Sequence, residues 1–233
     1  MMMTLPFPTG AFTPLDAAAL GLLVLAWLLT GWLVEHPPKG HPSVSVIMAG
    51  YRRDWMRQFV TRQPRLFDAS VIDSLRQSTA FFASASMIAI GGGVALIGNS
   101  GRVQVLAEDL TLRSEAVVIE VKILVVIVFL GNALLKFIWS NRLFGYCAIL
   151  MAAVPNDAGD ATAYPRAAQA AEINITAAKS FNRGLRAIYF ALAAVGWILG
   201  AGALIVAVIV ASLVLMRREF ASQSRRVMLM DKD

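Results

Sequence analysis

The chain has 233 residues, 58% hydrophobic and only 15% charged, with a formal net charge of +6 and a mean hydropathy of +0.64. An ordinary soluble domain carries about 25% charged and about 45–50% apolar residues, so the balance argues against a soluble enzyme and for a membrane protein. Cys147 is the single cysteine, which rules out an internal disulfide and any cysteine-based metal site.

The opening "MMMTLPFPTGAFTPLD" has no Lys or Arg, and the apolar run after it exceeds the about 7–15 residues of a secretory signal core. Residues 15–34 therefore read as a retained first span, interrupted only by Asp16 and Thr30. A span needs ~20 mainly apolar residues. The turn "EHPPKGHPS" follows. Glu35, His36 and His41 are metal-ligand types, but Pro37 and Pro38 favour a plain turn, and no metal is expected.

Residues 44–62 have the spacing of an amphipathic helix, with Ile47, Tyr51, Trp55 and Phe59 recurring every four residues. Trp and Tyr favour the headgroup zone, and arginines pair with lipid phosphates. Tyr51, Arg52, Arg53, Trp55, Arg57, Phe59 and Arg62 are thus the expected contacts with anionic headgroups. Nucleic acid would use the same residue types, but the adjacent spans tether this stretch to lipid, and no nucleic-acid partner is expected. Pro64 ends the helix, and Asp68 is placed to cap the next, which can run on into the second span.

That second span, residues 78–98, is rich in Ala, Ser and Gly, which suits close helix packing. Its "GGGVALIG" lies inside a span, so a phosphate loop is not expected. The third span, residues 117–139, holds Glu120, Lys122, Asn132 and Lys136. Lys122, Asn132 and Lys136 share one broad face, a possible polar path; the lysines near either end can equally snorkel to the interface. Leu143–Val154 is about half a span and reads as a continuation of this helix. A cytoplasmic helix is expected over 165–182, a fourth span over 188–216 and a polar tail over 217–233. Asp157 and Asp160 read as solvated loop carboxylates.

Counting Lys and Arg, the first long loop holds seven, the second five, and the short loop after the second span only Arg102 and Arg113. The positive-inside tendency puts both long loops in the cytoplasm. Four spans then leave the basic tail on the opposite side, which the same tendency disfavours. An offset of 108 residues aligns Phe82, Ala83, Ala85 and Gly92 with Phe190, Ala191, Ala193 and Gly200. That hints at a duplication, although Ala- and Gly-rich spans often match by chance.

The stretches "HPSVSVIMAGYRRDWM", "SLRQSTAFFASASMIAIGG", "EVKILVVIVFLGNALLKFIWSNRLF" and "SFNRGLRAIYFALAAVGWILG" resemble the DUF599 membrane-protein family over residues 36–202. The resemblance implies a four-helix membrane topology and no particular activity. It leaves the C-terminal tail outside.

The expectation is an all-α polytopic bundle, one membrane domain over residues 1–233, in the bacterial cytoplasmic membrane. No clustered nucleophile, base or cofactor motif is evident, so neither an enzyme nor a cofactor is expected. The reading is a non-catalytic accessory or scaffold subunit in a homo-oligomer or larger membrane complex. The alternative is a small-solute or ion transporter using the polar face of the third span.

Overall fold

The computed structural model describes residues 12–99 and 116–230. Residues 1–11, 100–115, which include Arg102 and Arg113, and 231–233 lie outside these. Among the described residues the fold is all-α, a bundle of long helices.

Helix α1, Pro14–Glu35, starts at a capping box in which Thr13 and Asp16 exchange hydrogen bonds, with Pro14 at the first helical position. A tight turn follows. Ser43 Oγ donates to the Val34 carbonyl at 2.7 Å and caps α2, Val44–Phe59. Helix α3, Leu66–Ile97, spans 32 residues and α4, Ala116–Ala152, spans 37. Both exceed the ~20 residues a bilayer requires. The Leu143–Val154 stretch continues α4 almost to its end, as expected. α4 packs most extensively on α5, Ala163–Val195, and next on α3.

The fourth expected span is where the structure departs from the sequence reading. Residues 188–216 are not one helix. Helix α5 stops at Val195, a 3₁₀ turn covers Gly196–Leu199, and α6 runs from Ala201 to Phe220. Gly200 has φ +120°, a conformation that favours glycine. Gly196 lets the two helices touch: a Cβ there would sit 3.2 Å from Ala207 Cβ and 3.3 Å from the Ala203 carbonyl oxygen. The chain therefore makes an antiparallel hairpin. The expected cytoplasmic helix over 165–182 is also not separate, being the first half of α5.

The hairpin settles where the tail goes. Glu219 accepts hydrogen bonds from Ser45, the Tyr51 hydroxyl donates to the Met228 carbonyl at 3.1 Å, and Arg225 donates to the Pro42 carbonyl at 2.9 Å. The short helix α7, Gln223–Leu229, thus sits beside α2 rather than at the opposite end. The proposed repeat loses its structural basis too. Gly92 lies inside α3, whereas its counterpart Gly200 is the break between two helices.

Two cores result. One joins α1, α4, α5 and α6 through Leu23, Phe129, Phe190, Trp197, Leu204 and Val208. The other, at the end carrying α2, joins Met56 and Phe59 to Cys147, Met151 and the small residues Ala167 and Ala170 of α5. We call this the basic end: most of the described Lys and Arg lie on its side of the bundle, whereas Lys122 lies towards the opposite end and Lys136, Arg183 and Arg186 lie deeper, level with the packing of Phe137 on α5. Four helical stretches are long and apolar enough to cross a membrane: Pro14–Glu35, Leu66–Ile97, Val118–Ala152 and Ala201–Leu229.

Candidate functional site: a polar belt at the basic end

Helix α2 is held against the bundle by its own charges and aromatics. Met56 and Phe59 are buried on α5, whose alanines let α2 approach closely. Trp55 Nε1 donates to Asp68 Oδ1 at 2.6 Å, and Arg62 reaches the same oxygen at 2.5 Å. Asp68 is fully buried in the first turn of α3. It was expected to cap that helix; Arg65 occupies the cap position instead, and Asp68 ties α3 to α2. Arg53 pairs with Glu172 of α5 at 2.6 Å. That hydrogen bond holds the Glu172 carboxyl below the usual carboxylate range. Arg52 donates to Asn174 Oδ1. Of the seven side chains assigned to lipid headgroups, Tyr51 is exposed with its hydroxyl on the Met228 carbonyl, Phe59 is core, and Arg57 alone has no hydrogen-bond or core-packing partner among the described residues. The apolar face of α2 meets protein, because α5 offers a complementary groove.

A second network joins the ends of α1 and α6 to the middle of α5. Glu35 accepts from Arg183 Nε at 2.9 Å and from Arg186 at 2.5 Å. Arg186 is 8% exposed, Arg183 49%. Glu219 accepts from the Ser45 N–H at 3.1 Å and its hydroxyl at 3.0 Å; Ser45 Oγ in turn accepts from Asn182 at 3.3 Å. Glu35 and Glu219 thus flank a buried guanidinium from two helices.

Beside this network lies a pocket of about 230 Å³, lined by α2, α3, α5 and α6, with Phe144 of α4 in its wall. Its polar lining is Ser45, Arg52, Ser78, Lys179, Asn182, Arg218 and Glu219. Its apolar wall includes Met48, Leu75, Phe144 and Phe181.

The four polar residues of the third span are not brought together. Lys122 lies at the opposite end, its ammonium 5.8 Å from the Trp197 ring, where Trp197 Nε1 donates to Asp16 at 2.7 Å. Glu120 and Asn132 are half-buried. Lys136 is half-buried near the basic end, where its carbonyl accepts from Ser180 at 2.9 Å. Glu35, conceivable as a metal ligand by type, is committed to the two arginines. Asp157 and Asp160 shape their loop: Asp157 accepts from the Gly159 N–H at 2.8 Å and Asp160 from Thr162 at 2.7 Å.

Sequence reasoning passed over Arg183, Arg186, Asn182, Ser45 and Glu219. A faint signal existed: two arginines directly precede one apolar run and a glutamate directly follows another. Only the hairpin shows that the two runs are adjacent.

No curated protein and no solved structure matches the chain. The profile of DUF599, a protein family of unknown function, matches residues 18–224, which takes in most of α1, all of α6 and the start of the tail beyond the stretch suggested by the quoted motifs. The chain belongs to the DUF599 family.

Proposed function

We propose that the protein is a non-catalytic subunit of the bacterial cytoplasmic membrane, a scaffold that assembles with copies of itself or within a larger membrane complex. One observation carries this reading: α3 packs on one side only. Only 6% of the residues in its apolar stretch are buried, against 33% for α4. Its open face carries Ala80, Ser84, Gly91 and Ala95 at helical spacing. Ile88, 76% exposed, stands between Ser84 and Gly91, and the small residues around it let another helix approach closely.

Transport along α4 finds less support. Lys122 and Lys136 stand at opposite ends of the apolar layer, and Lys122 is buried among Asp16 and Trp197 rather than lining an opening.

We read the topology as five crossings, the fifth being the C-terminal half of α5. Both long basic segments and the tail then share the cytoplasmic side, in accord with the positive-inside tendency.

The test of assembly is a leucine at Gly91. No atom lies within 4 Å of a Cβ built there, so the fold should tolerate it. Native mass spectrometry of gently extracted protein is expected to show an assembly for the parent chain and its loss in Gly91→Leu. A parent chain that runs as a monomer without partners sinks the scaffold reading.

A further inference from the structure

The pocket between α2, α3, α5 and α6 has a charge imbalance that the fold does not resolve. Arg52, Lys179 and Arg218 line it, and among the described residues none has a carboxylate within 4.0 Å. The one acid in the lining, Glu219, already accepts two hydrogen bonds from Ser45 and faces Arg186. Arg52 is half-buried, and among the described residues its hydrogen-bond partner is the neutral oxygen of the fully buried Asn174. A confined guanidinium without a counter-ion is costly, and desolvation weakens its hold on the proton. An anion entering the pocket would meet three cations from three helices, with Ser45 and Asn182 as neutral hydrogen-bonding neighbours.

The location narrows the chemistry. The pocket lies where α1 and α6 end and the charged residues begin, the depth of lipid headgroups. Basic pockets between helices on the cytoplasmic side are suited to anionic headgroups. Its wall of Met48, Leu75, Phe144 and Phe181 suits the glycerol and first methylenes of a lipid better than a bare ion.

We infer that this pocket is a binding site for one anionic phosphate group, with Arg52, Lys179 and Arg218 as its ligands. A phospholipid headgroup and free phosphate offer the same chemistry. The site is contained within a single chain, so it stands apart from the assembly reading and holds equally for a monomer.

The experiment uses the full chain in neutral detergent. One arm adds phosphatidylglycerol, one phosphatidylcholine and one inorganic phosphate. Bound ligand per chain is read by native mass spectrometry, and the melting temperature by tryptophan fluorescence. A surface basic residue contributes about 1 kcal/mol toward an anionic headgroup, about fivefold in affinity. The variant Lys179→Gln/Arg218→Gln removes two exposed charges without touching the core. It is expected to weaken phosphatidylglycerol binding roughly 25-fold, with phosphatidylcholine bound weakly throughout. Arg52→Gln should add to this loss, and Arg226→Gln, outside the pocket, should change nothing. Saturable binding of inorganic phosphate with the same variant dependence, and none of lipid, keeps the site and assigns it to free phosphate. Binding of both anions that is equal in parent, double variant and Arg226→Gln overturns the proposal, as does no binding of either.

Discussion

Glu35 neutralises two arginines at once, one exposed and one buried. The asymmetry makes its loss informative. Glu35→Gln removes a counter-ion from Arg186, whose side chain is 8% exposed, and breaking a buried pair from one side costs about 3–5 kcal/mol. Glu219 lies near enough to compensate in part, so about 2–3 kcal/mol is the expected loss. Arg183→Gln should cost less than about 1 kcal/mol, because Arg183 is half-exposed and its pair is worth little. Thermal unfolding of both variants in detergent checks the ordering; equal losses would mean that Arg186 does not depend on Glu35. Gly184 makes a second residue-scale case. A Cβ there would fall 2.7 Å from Phe137 Cε1, on a ring buried against Phe82 and Phe181. Overpacking of this kind costs about 1–3 kcal/mol, so Gly184→Ala should lower the melting temperature. Gly184→Ala/Phe137→Leu should recover part of the loss, and a strictly additive double variant would show that the ring is not the obstacle.

At the scale of the element, the helices differ in how legible they were. The first three apolar runs could be read directly, since apolar length depends on one helix and its solvent. The continuation of α4 through residues 143–152 followed from the same reasoning. Helix α2 was found with nearly correct bounds, but the packing of Met56 and Phe59 against α5 was not read. An amphipathic face looks the same whether it meets lipid or protein, and only Ala163, Ala167, Ala170 and Ala171 on α5 decide for protein. The break at residues 196–200 was written in "GWILGAG", but membrane helices also use glycine for close packing. What separates the cases is Trp197, buried with its indole N–H on Asp16, a partner 181 residues away. Hydrogen bonds and ion pairs of this range involve two elements at once. No single-helix periodicity contains them, which is why the belt of Glu35, Arg186, Asn182 and Glu219 stayed hidden.

At the scale of the whole molecule, the α5–α6 hairpin resolves the conflict that four spans created. The tail beyond Phe220 meets Tyr51 of α2 and Pro42 in the turn before it, so tail and α2 must share one side of any membrane the bundle crosses. Labelling from outside intact cells tests this directly. Single-cysteine variants, made after replacing Cys147 by alanine, would carry the reporter at Gln223 or Arg57. Both are expected to resist an impermeant maleimide until the cells are opened. Labelling of Gln223 alone in intact cells would refute the five-crossing reading.

The break at residues 196–200 also bears on how the protein enters the membrane. From Gly184 to Val195 the chain has 12 helical residues, about 18 Å at 1.5 Å each, and Arg183 and Arg186 lie at its start. The about 30 Å of bilayer hydrocarbon is too thick for this segment to be accepted by the insertion machinery alone. On the five-crossing reading, helix α6 is expected to be synthesised before α5 partitions, so that the two enter as a pair. A nascent chain stopped after Leu199 should leave its end on the cytoplasmic side, and one stopped after Phe220 should have delivered the Gly196–Gly200 turn across. A glycosylation acceptor introduced in that turn and translated with microsomes reads out the difference.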